Sequence, residues 1–293
     1  MLFLNQLING LHIGSIYALI ALGYTMVYGI VKLINFAHGD IIMVGAYVSL
    51  LLITNSGLPY YLAIPITMVF CAVLGVLIER LAYKPLRSAP RISALITAIG
   101  VSYFLQNSAL LIWGSAPKSY PSVISLGSLT LMDGQLVISG GTIVTVLANI
   151  VIMVALTAFT GRTKFGKAMR AVSEDKGAAE LMGINVNMTI SMTFAIGSAL
   201  AAIAGVLLCS TYHTLMPTTG SMPGIKAFTA AVFGGIGSIP GALLGGLLLG
   251  IIEILGKAYV SMELGDALVF AVLIIVLLVK PTGLLGKPMR EKV

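Results

Sequence analysis

Uncharged apolar runs alternate with short polar loops along the chain, starting at Leu7, Gly39, Tyr60, Ser93, Thr142, Thr189, Pro240 and Asp266. Each is roughly 15 to 22 residues long, near the ~20 that a helix needs to cross a bilayer core of about 30 Å. The pattern predicts an all-α polytopic membrane protein with about eight transmembrane helices. Two places interrupt it. The first is Asn35-Phe36-Ala37-His38-Gly39-Asp40, between a run ending near Tyr28 and the run 41–54. The second is Gly234-Gly235-Ile236-Gly237-Ser238-Ile239-Pro240-Gly241, between a short apolar piece (225–233) and the run 242–256. Glycine costs about 1 kcal/mol in a helix interior and proline about 3, so the second cluster ends one helix and starts another. Non-helical backbone at this depth is tolerated only beside protein or a water-filled cavity, which predicts broken or re-entrant helices near a pathway. A helix rich in small residues follows each break, which suggests two structural halves. The spacings Gly241/Gly245 and Gly246/Gly250 let another helix approach closely, and packing within the chain is the expected use.

Composition narrows the class. With 58% hydrophobic and 9% charged residues in 293, the spans consume the chain and leave no room for a soluble catalytic domain. A single transmembrane domain over 1–293 is expected, not an enzyme, whose work lies in passage across the membrane. The first run lacks a basic flank and a small-residue cleavage site, so it reads as retained. Cys71 and Cys209 lie inside apolar runs and read as small buried hydrophobes, with no metal site. The net charge of +7 reflects orientation and not nucleic acid. Arg80, Lys84, Arg87 and Arg91 flank one loop; Arg162, Lys164, Lys167, Arg170 and Lys176 fill another; Lys280, Lys287, Arg290 and Lys292 form the tail. The stretch from Gly114 to Gly141 holds only Lys118 and Asp133. By the positive-inside rule the three basic segments are cytoplasmic and 114–141 is external. Placing Lys32 inside puts the N-terminus outside.

Polar residues within spans are functional candidates because lipid burial is costly. Asn35, His38 and Asp40 stand at the first break, where Asp40 fits a first-turn helix charge as well as a pathway role. Lys226 opens the short helix before the second break. It either neutralises a buried acid such as Glu253 or snorkels to the headgroups, and snorkelling is the favoured expectation. Gln106 and Asn107 share one span, and His12 and His213 read as structural. Tyr17, Tyr24 and Tyr28 form a stripe that either lines a pathway or packs, with packing preferred. The remaining pathway candidates are Phe228, Gly235, Gly237 and Ser238. Gly161-Arg162-Thr163-Lys164-Phe165-Gly166-Lys167-Ala168 has phosphate-loop spacing, but Ala168 replaces the hydroxyl that would hold magnesium and a membrane span precedes it. It reads as a basic loop, so the energy source lies elsewhere.

Several longer motifs carry a resemblance. Gly14-Ser15-Ile16-Tyr17-Ala18-Leu19-Ile20-Ala21-Leu22-Gly23-Tyr24 leads into Asn35-Phe36-Ala37-His38-Gly39. Glu174-Asp175 precedes Leu181-Met182-Gly183-Ile184-Asn185, and Lys226-Ala227-Phe228-Thr229-Ala230-Ala231-Val232-Phe233-Gly234-Gly235-Ile236-Gly237-Ser238 follows. Over essentially the whole chain this resembles the branched-chain amino acid permease family of ATP-binding-cassette importers, in its LivH branch. The resemblance implies a membrane subunit paired with a second, LivM-like permease in the bacterial inner membrane. Two cytoplasmic ATPases would bind ATP and magnesium, no cofactor being held by this chain. An extracytoplasmic binding protein would deliver leucine, isoleucine or valine, and lipid would surround the assembly. A urea or short-amide importer of the same superfamily shares every motif quoted, and an ion-coupled carrier using His38, Asp40 and Glu253 is a rival from another class.

Importers of this kind dock on their ATPases through a short helix in a cytoplasmic loop, often Glu-Ala-Ala, three residues, then Gly. In the 161–188 loop Gly177-Ala178-Ala179 is followed by Gly183, with Gly177 in place of the Glu. Ala178, Ala179, Leu181 and Met182 give a small-faced amphipathic helix, and Gly183 its stop. Ser173 is the expected cap, with Glu174 and Asp175 in the first turn. The alternative is an interfacial helix on anionic lipid.

Overall fold

A computed structural model describes residues 2–87, 89–123, 127–131 and 136–286. Its helices are α1 (Leu2–Val31), α2 (His38–Thr54), α3 (Tyr60–Ile78), α4 (Arg91–Trp113), α5 (Gly140–Arg162), α6 (Lys164–Glu174), α7 (Lys176–Leu181), α8 (Val186–Tyr212), α9 (Ser221–Gly234), α10 (Ile239–Tyr259) and α11 (Gly265–Val279). Among the described residues, six helical stretches are long and apolar enough to cross a membrane: α1, Tyr60–Leu86, Ile92–Trp113, α5, α8 and α10. The shorter apolar helices α2 and α11 account for the runs starting at Gly39 and Asp266. The chain is therefore an all-α polytopic membrane protein. Val69, Phe104 and Val151 on α3, α4 and α5 point outward, as helices facing lipid require.

Two corrections to the expected loops follow. The 114–141 stretch contains strands: Lys118–Ser119 pairs antiparallel with Thr214–Leu215, and Leu129–Leu131 with Leu136–Ile138. The basic 161–188 loop holds, besides the expected short helix α7, a further helix α6 that the pattern did not give. The tail cations Lys287, Arg290 and Lys292 lie outside the described residues.

The chain separates into two compact units, each assembled from interleaved segments. One comprises 26–124 and 155–225, and the other 1–25, 125–154 and 226–293. In the first, α2, α3 and α8 pack on one another at small residues. A Cβ on Gly45 would meet Ala202, and one on Gly75 would strike Ser198. Cys71 is buried and free in this contact, as Cys209 is on α8. The extended 118–123 segment is pinned by Tyr120, whose hydroxyl lies 2.7 Å from Ser49 Oγ, and by the Val123 N–H, which donates to Ser210 Oγ at 3.0 Å.

In the second unit the glycine faces of α10 are used within the chain. Gly246 lies on Ala18 and Gly250 on Gly14, while Gly245 lies on the Ala230 carbonyl of α9. Side chains at these positions would push the helices apart, so the spacing read from sequence serves internal packing.

Candidate translocation and coupling sites

The first break forms because α1 ends at Lys32, which sits in the left-handed region at φ 59° with its N–H on the Tyr28 carbonyl. The chain turns through 33–37 and α2 begins at His38, so His38, Gly39 and Asp40 are already helical. Ala37 occupies the cap position and offers no side-chain bond. Asn35, His38 and Asp40 are all buried. Asn35 accepts a 2.8 Å bond from the Tyr83 hydroxyl. Asp40 accepts one from Gln106 Nε2 at 2.9 Å, and the same amide reaches Ser221 Oγ (3.2 Å) and Ser102 Oγ (3.3 Å). Beside them Gly39 and Gly220 bring two backbones into contact that no side chain would permit.

At the second break α9 stops at Gly234, and Gly235 and Gly237 take φ of 108° and 94°, values that only glycine adopts without strain. Ser238 then caps α10, its Oγ accepting from the Gly241 N–H at 3.2 Å, and Pro240 fits the first turn, where a missing N–H costs nothing. The segment after α11 folds back here. The Leu284 and Leu285 N–H groups donate to the Phe233 and Gly234 carbonyls, each at 2.9 Å, which satisfies the open end of α9. Nothing in the sequence pattern pointed to that return.

Lys226 and Phe228 stand upstream on α9. Phe228 meets Tyr24 edge-on, ring centres 5.8 Å apart. Lys226 does not snorkel: it is 6% exposed and donates to Glu253 Oε1 at 2.8 Å and Asp266 Oδ1 at 2.6 Å. Tyr17 donates to the other Glu253 oxygen at 2.8 Å, and Lys257 also binds Glu253. An ion network thus outweighs snorkelling, because two acids lie within reach of a lysine that packing holds away from the surface. Asp266 and Lys257, which no sequence motif singled out, complete it. The structure joins Tyr17, Lys226 and Glu253; of the stripe Tyr17, Tyr24 and Tyr28, the first two are buried and pack inward, while Tyr28 is half-buried.

On the basic loop, Thr163 caps α6 by accepting from the Gly166 N–H at 2.9 Å, so the phosphate-loop look-alike is a helix–helix turn with no strand before it. The expected Ser173 cap is corrected. Ser173 lies in the last turn of α6, where its hydroxyl donates to the Arg170 carbonyl, and Glu174 closes that helix. Asp175 caps α7 instead, accepting from the Ala178 N–H at 3.0 Å, because its extended backbone frees the carboxylate to reach back. Gly183, at φ 78°, stops the helix as expected. Ala179 faces inward and Ala178 outward. Leu181 and Met182 are 90% and 82% exposed, an apolar tip on a charged loop.

A further cluster was missed. Glu79 opens a five-residue π-helical turn (Glu79–Tyr83) and is fully buried. Arg87 pairs with it, and Ser191 Oγ donates to its second oxygen at 2.6 Å. An acid eight residues before an arginine at the end of an apolar run was the available signal.

With this geometry in hand, the relatives are informative. A family model described as "Branched-chain amino acid transport system / permease component" matches residues 6–277. The chain is 48% identical to the high-affinity branched-chain amino acid transport system permease protein LivH of Escherichia coli, over 99% of this chain and 98% of that one. It is 46% identical to BraD of Pseudomonas aeruginosa, a permease protein of the same description, with the same coverage. A probable LivH of Methanocaldococcus jannaschii is 32% identical over 93% of this chain and 89% of its own. A match running through both breaks, the α6–α7 loop and the α9–α10 turn covers every feature described above, and the chain belongs to the branched-chain amino acid transport system permease family.

Proposed function

We propose that the chain is the membrane permease subunit of an ATP-driven importer of leucine, isoleucine and valine in the inner (plasma) membrane. The carrying observation is the 46–48% identity to branched-chain amino acid permeases along nearly the full length. In this reading the chain acts as one permease domain and forms the pathway with a second, LivM-like permease. Two cytoplasmic ATPases bind ATP and magnesium, and an extracytoplasmic protein delivers the amino acid. The broken helices supply the pathway, with Tyr17, Asn35, His38, Asp40, Lys226, Phe228, Gly235, Gly237 and Ser238 as candidates along it.

The α7 helix with Glu174, Asp175, Ala178, Ala179, Leu181 and Gly183 supplies the docking element. Its exposed Leu181 and Met182 offer the apolar contact that a rigid partner groove would bury, while Asp175 and Gly183 fix the helix ends. Transport needs differential stability between two states rather than a deep substrate well, so selection rests with the binding protein.

Labelled-leucine uptake into proteoliposomes holding the partner permease, ATPases and binding protein, with this chain present or omitted, tests the reading. Uptake that requires both the chain and ATP supports it. Uptake of urea but not leucine would change the cargo, and uptake by the chain alone under an ion gradient would overturn the assignment. Leu181→Asp, which buries no charge in the free subunit, is expected to abolish ATPase copurification and uptake together. Retention of both would remove α7 as the docking element.

A further inference from the structure

A continuous set of polar contacts runs from the docking loop to the first break, all within one compact unit. It begins where α7 joins α8. The Ile184 N–H bonds the Ala179 carbonyl at 3.0 Å, and Asn185 caps α8 by accepting from the Met188 N–H at 2.9 Å. The first turn of α8 is therefore tied to α7 through a short link bonded at both ends. Two residues of that helix reach the segment 79–87 that continues α3. Asn187 accepts from Arg87 Nη1 at 2.5 Å, and Ser191 donates to Glu79 Oε2 at 2.6 Å. Arg87 binds the other Glu79 oxygen. Both oxygens of Glu79 are engaged, so α8 cannot shift against the π-helical turn after α3 without breaking a bond to this buried carboxylate.

From Glu79 the path continues through the π-helical turn. A π turn holds one residue more than an α turn and recurs at functional sites. Restoring ordinary α geometry would rotate everything after it by about 100°, the angle per residue of an α-helix. Tyr83 closes this turn. It is buried, and its hydroxyl donates to Asn35 Oδ1 at 2.8 Å in the break before α2. The same turn thus carries Glu79 at one end and the Asn35 contact at the other.

The docking loop also faces this cluster electrostatically. Loss of surrounding water, and then the nearby Arg87 guanidinium, hold the Lys176 ammonium at the start of α7 below its ordinary pKa. Arg87 Nε has no hydrogen-bond partner among the described residues.

We propose that Glu79, Arg87 and Tyr83 are positioning residues that carry displacement of the α7 docking helix to the Asn35 break, coupling ATPase closure to movement of α2. This rests on the docking reading above. The relay predicts that its disruption separates two quantities that damage to folding would lower together: ATP hydrolysis by the assembled transporter and uptake per ATP consumed.

The test uses the complete reconstituted transporter, with labelled-leucine uptake and ATP hydrolysis measured in the same vesicles. Tyr83→Phe removes one hydroxyl, Arg87→Lys keeps the charge but loses the fork, and Asn187→Ala removes the exposed acceptor of Arg87 Nη1. A hydrogen bond to a charged group is worth enough to shift a two-state equilibrium by about tenfold or more. Each variant is expected to copurify with the ATPases and hydrolyse ATP, with uptake per ATP lowered; the drop is about tenfold for Arg87→Lys, which weakens the charged contact. The Tyr83→Phe/Arg87→Lys pair should lose little more than the worse single variant, since both cut one path. Unchanged uptake per ATP, fully additive losses, or uptake and hydrolysis falling in proportion would overturn the relay. Leu181→Asp in parallel isolates the docking reading, because it fails on ATPase copurification whatever the relay variants do.

Discussion

Glu253 and Asp40 are both buried acids, the first late in α10 and the second in the first turn of α2, and their neighbours could hardly differ more. Glu253 has two lysines and a tyrosine hydroxyl on its oxygens, and Asp266 shares those lysines. Two positive and two negative side chains balance there, holding α1, α9, α10 and α11 in one network. Asp40 is bonded by the neutral amide of Gln106, with serine hydroxyls around it, and no cation pairs with it among the described residues. The first turn of α2 supplies the compensating field, since helix N-termini favour negative charge. An acid held by full charges fixes helices in place, whereas an acid held by neutral dipoles has no ion pair to lose.

The largest effect expected from this contrast comes at Glu253. Glu253→Leu leaves Lys226 buried with only the half-exposed Asp266, and breaking a buried ion pair by removing one partner costs about 3–5 kcal/mol. Thermal unfolding in detergent should show the loss. The double change Glu253→Leu with Lys226→Met should recover much of it, because the charge left stranded is then gone. If the double variant is no better than the single, the network is not what holds these helices together.

Asp40 should respond in the opposite way. Asp40→Asn keeps an oxygen for the Gln106 amide and breaks no ion pair, so stability should change by about 1 kcal/mol or less. Uptake in the reconstituted transporter should nonetheless fall if Asp40 lies along the pathway. A stability loss as large as that of Glu253→Leu would erase the distinction between the two acids.

The span pattern, both breaks and the inward use of the α10 glycines were legible because each depends on local sequence: apolar length, helix-breaking residues and small-residue spacing. Gly183 was readable as a helix stop for the same reason. What stayed hidden depends on contacts distant in sequence. Lys226 finds Asp266 forty residues away, and Glu79 is completed by Ser191 from another helix. Periodicity cannot announce such partners, so a buried lysine looked like a snorkelling one. The Ser173 cap failed more narrowly. Ser173, Glu174 and Asp175 are all acceptable near a helix start, and only the extended backbone at Asp175 decides which residue caps α7.

The smallest expected effect tests whether burial or mere charge pairing separates the two acids. Lys257 binds Glu253 from one turn along α10 and lies 3.9 Å from Asp266, but its side chain is 31% exposed against 7% for Lys226. Lys257 stays partly exposed where Lys226 is enclosed, so its pairing is held less tightly by its surroundings. Lys257→Ala should therefore cost under about 1 kcal/mol, the range of solvent-exposed ion pairs, while Lys226→Met costs clearly more. Unfolding of the two variants side by side at low and high salt gives the comparison. Salt should diminish the Lys257 effect and leave that of Lys226 nearly unchanged, because screening acts on exposed charges far more than on buried ones. Equal losses with equal salt dependence would mean that the network behaves as a surface cluster, and its contrast with Asp40 would then rest on the number of cations rather than on their seclusion.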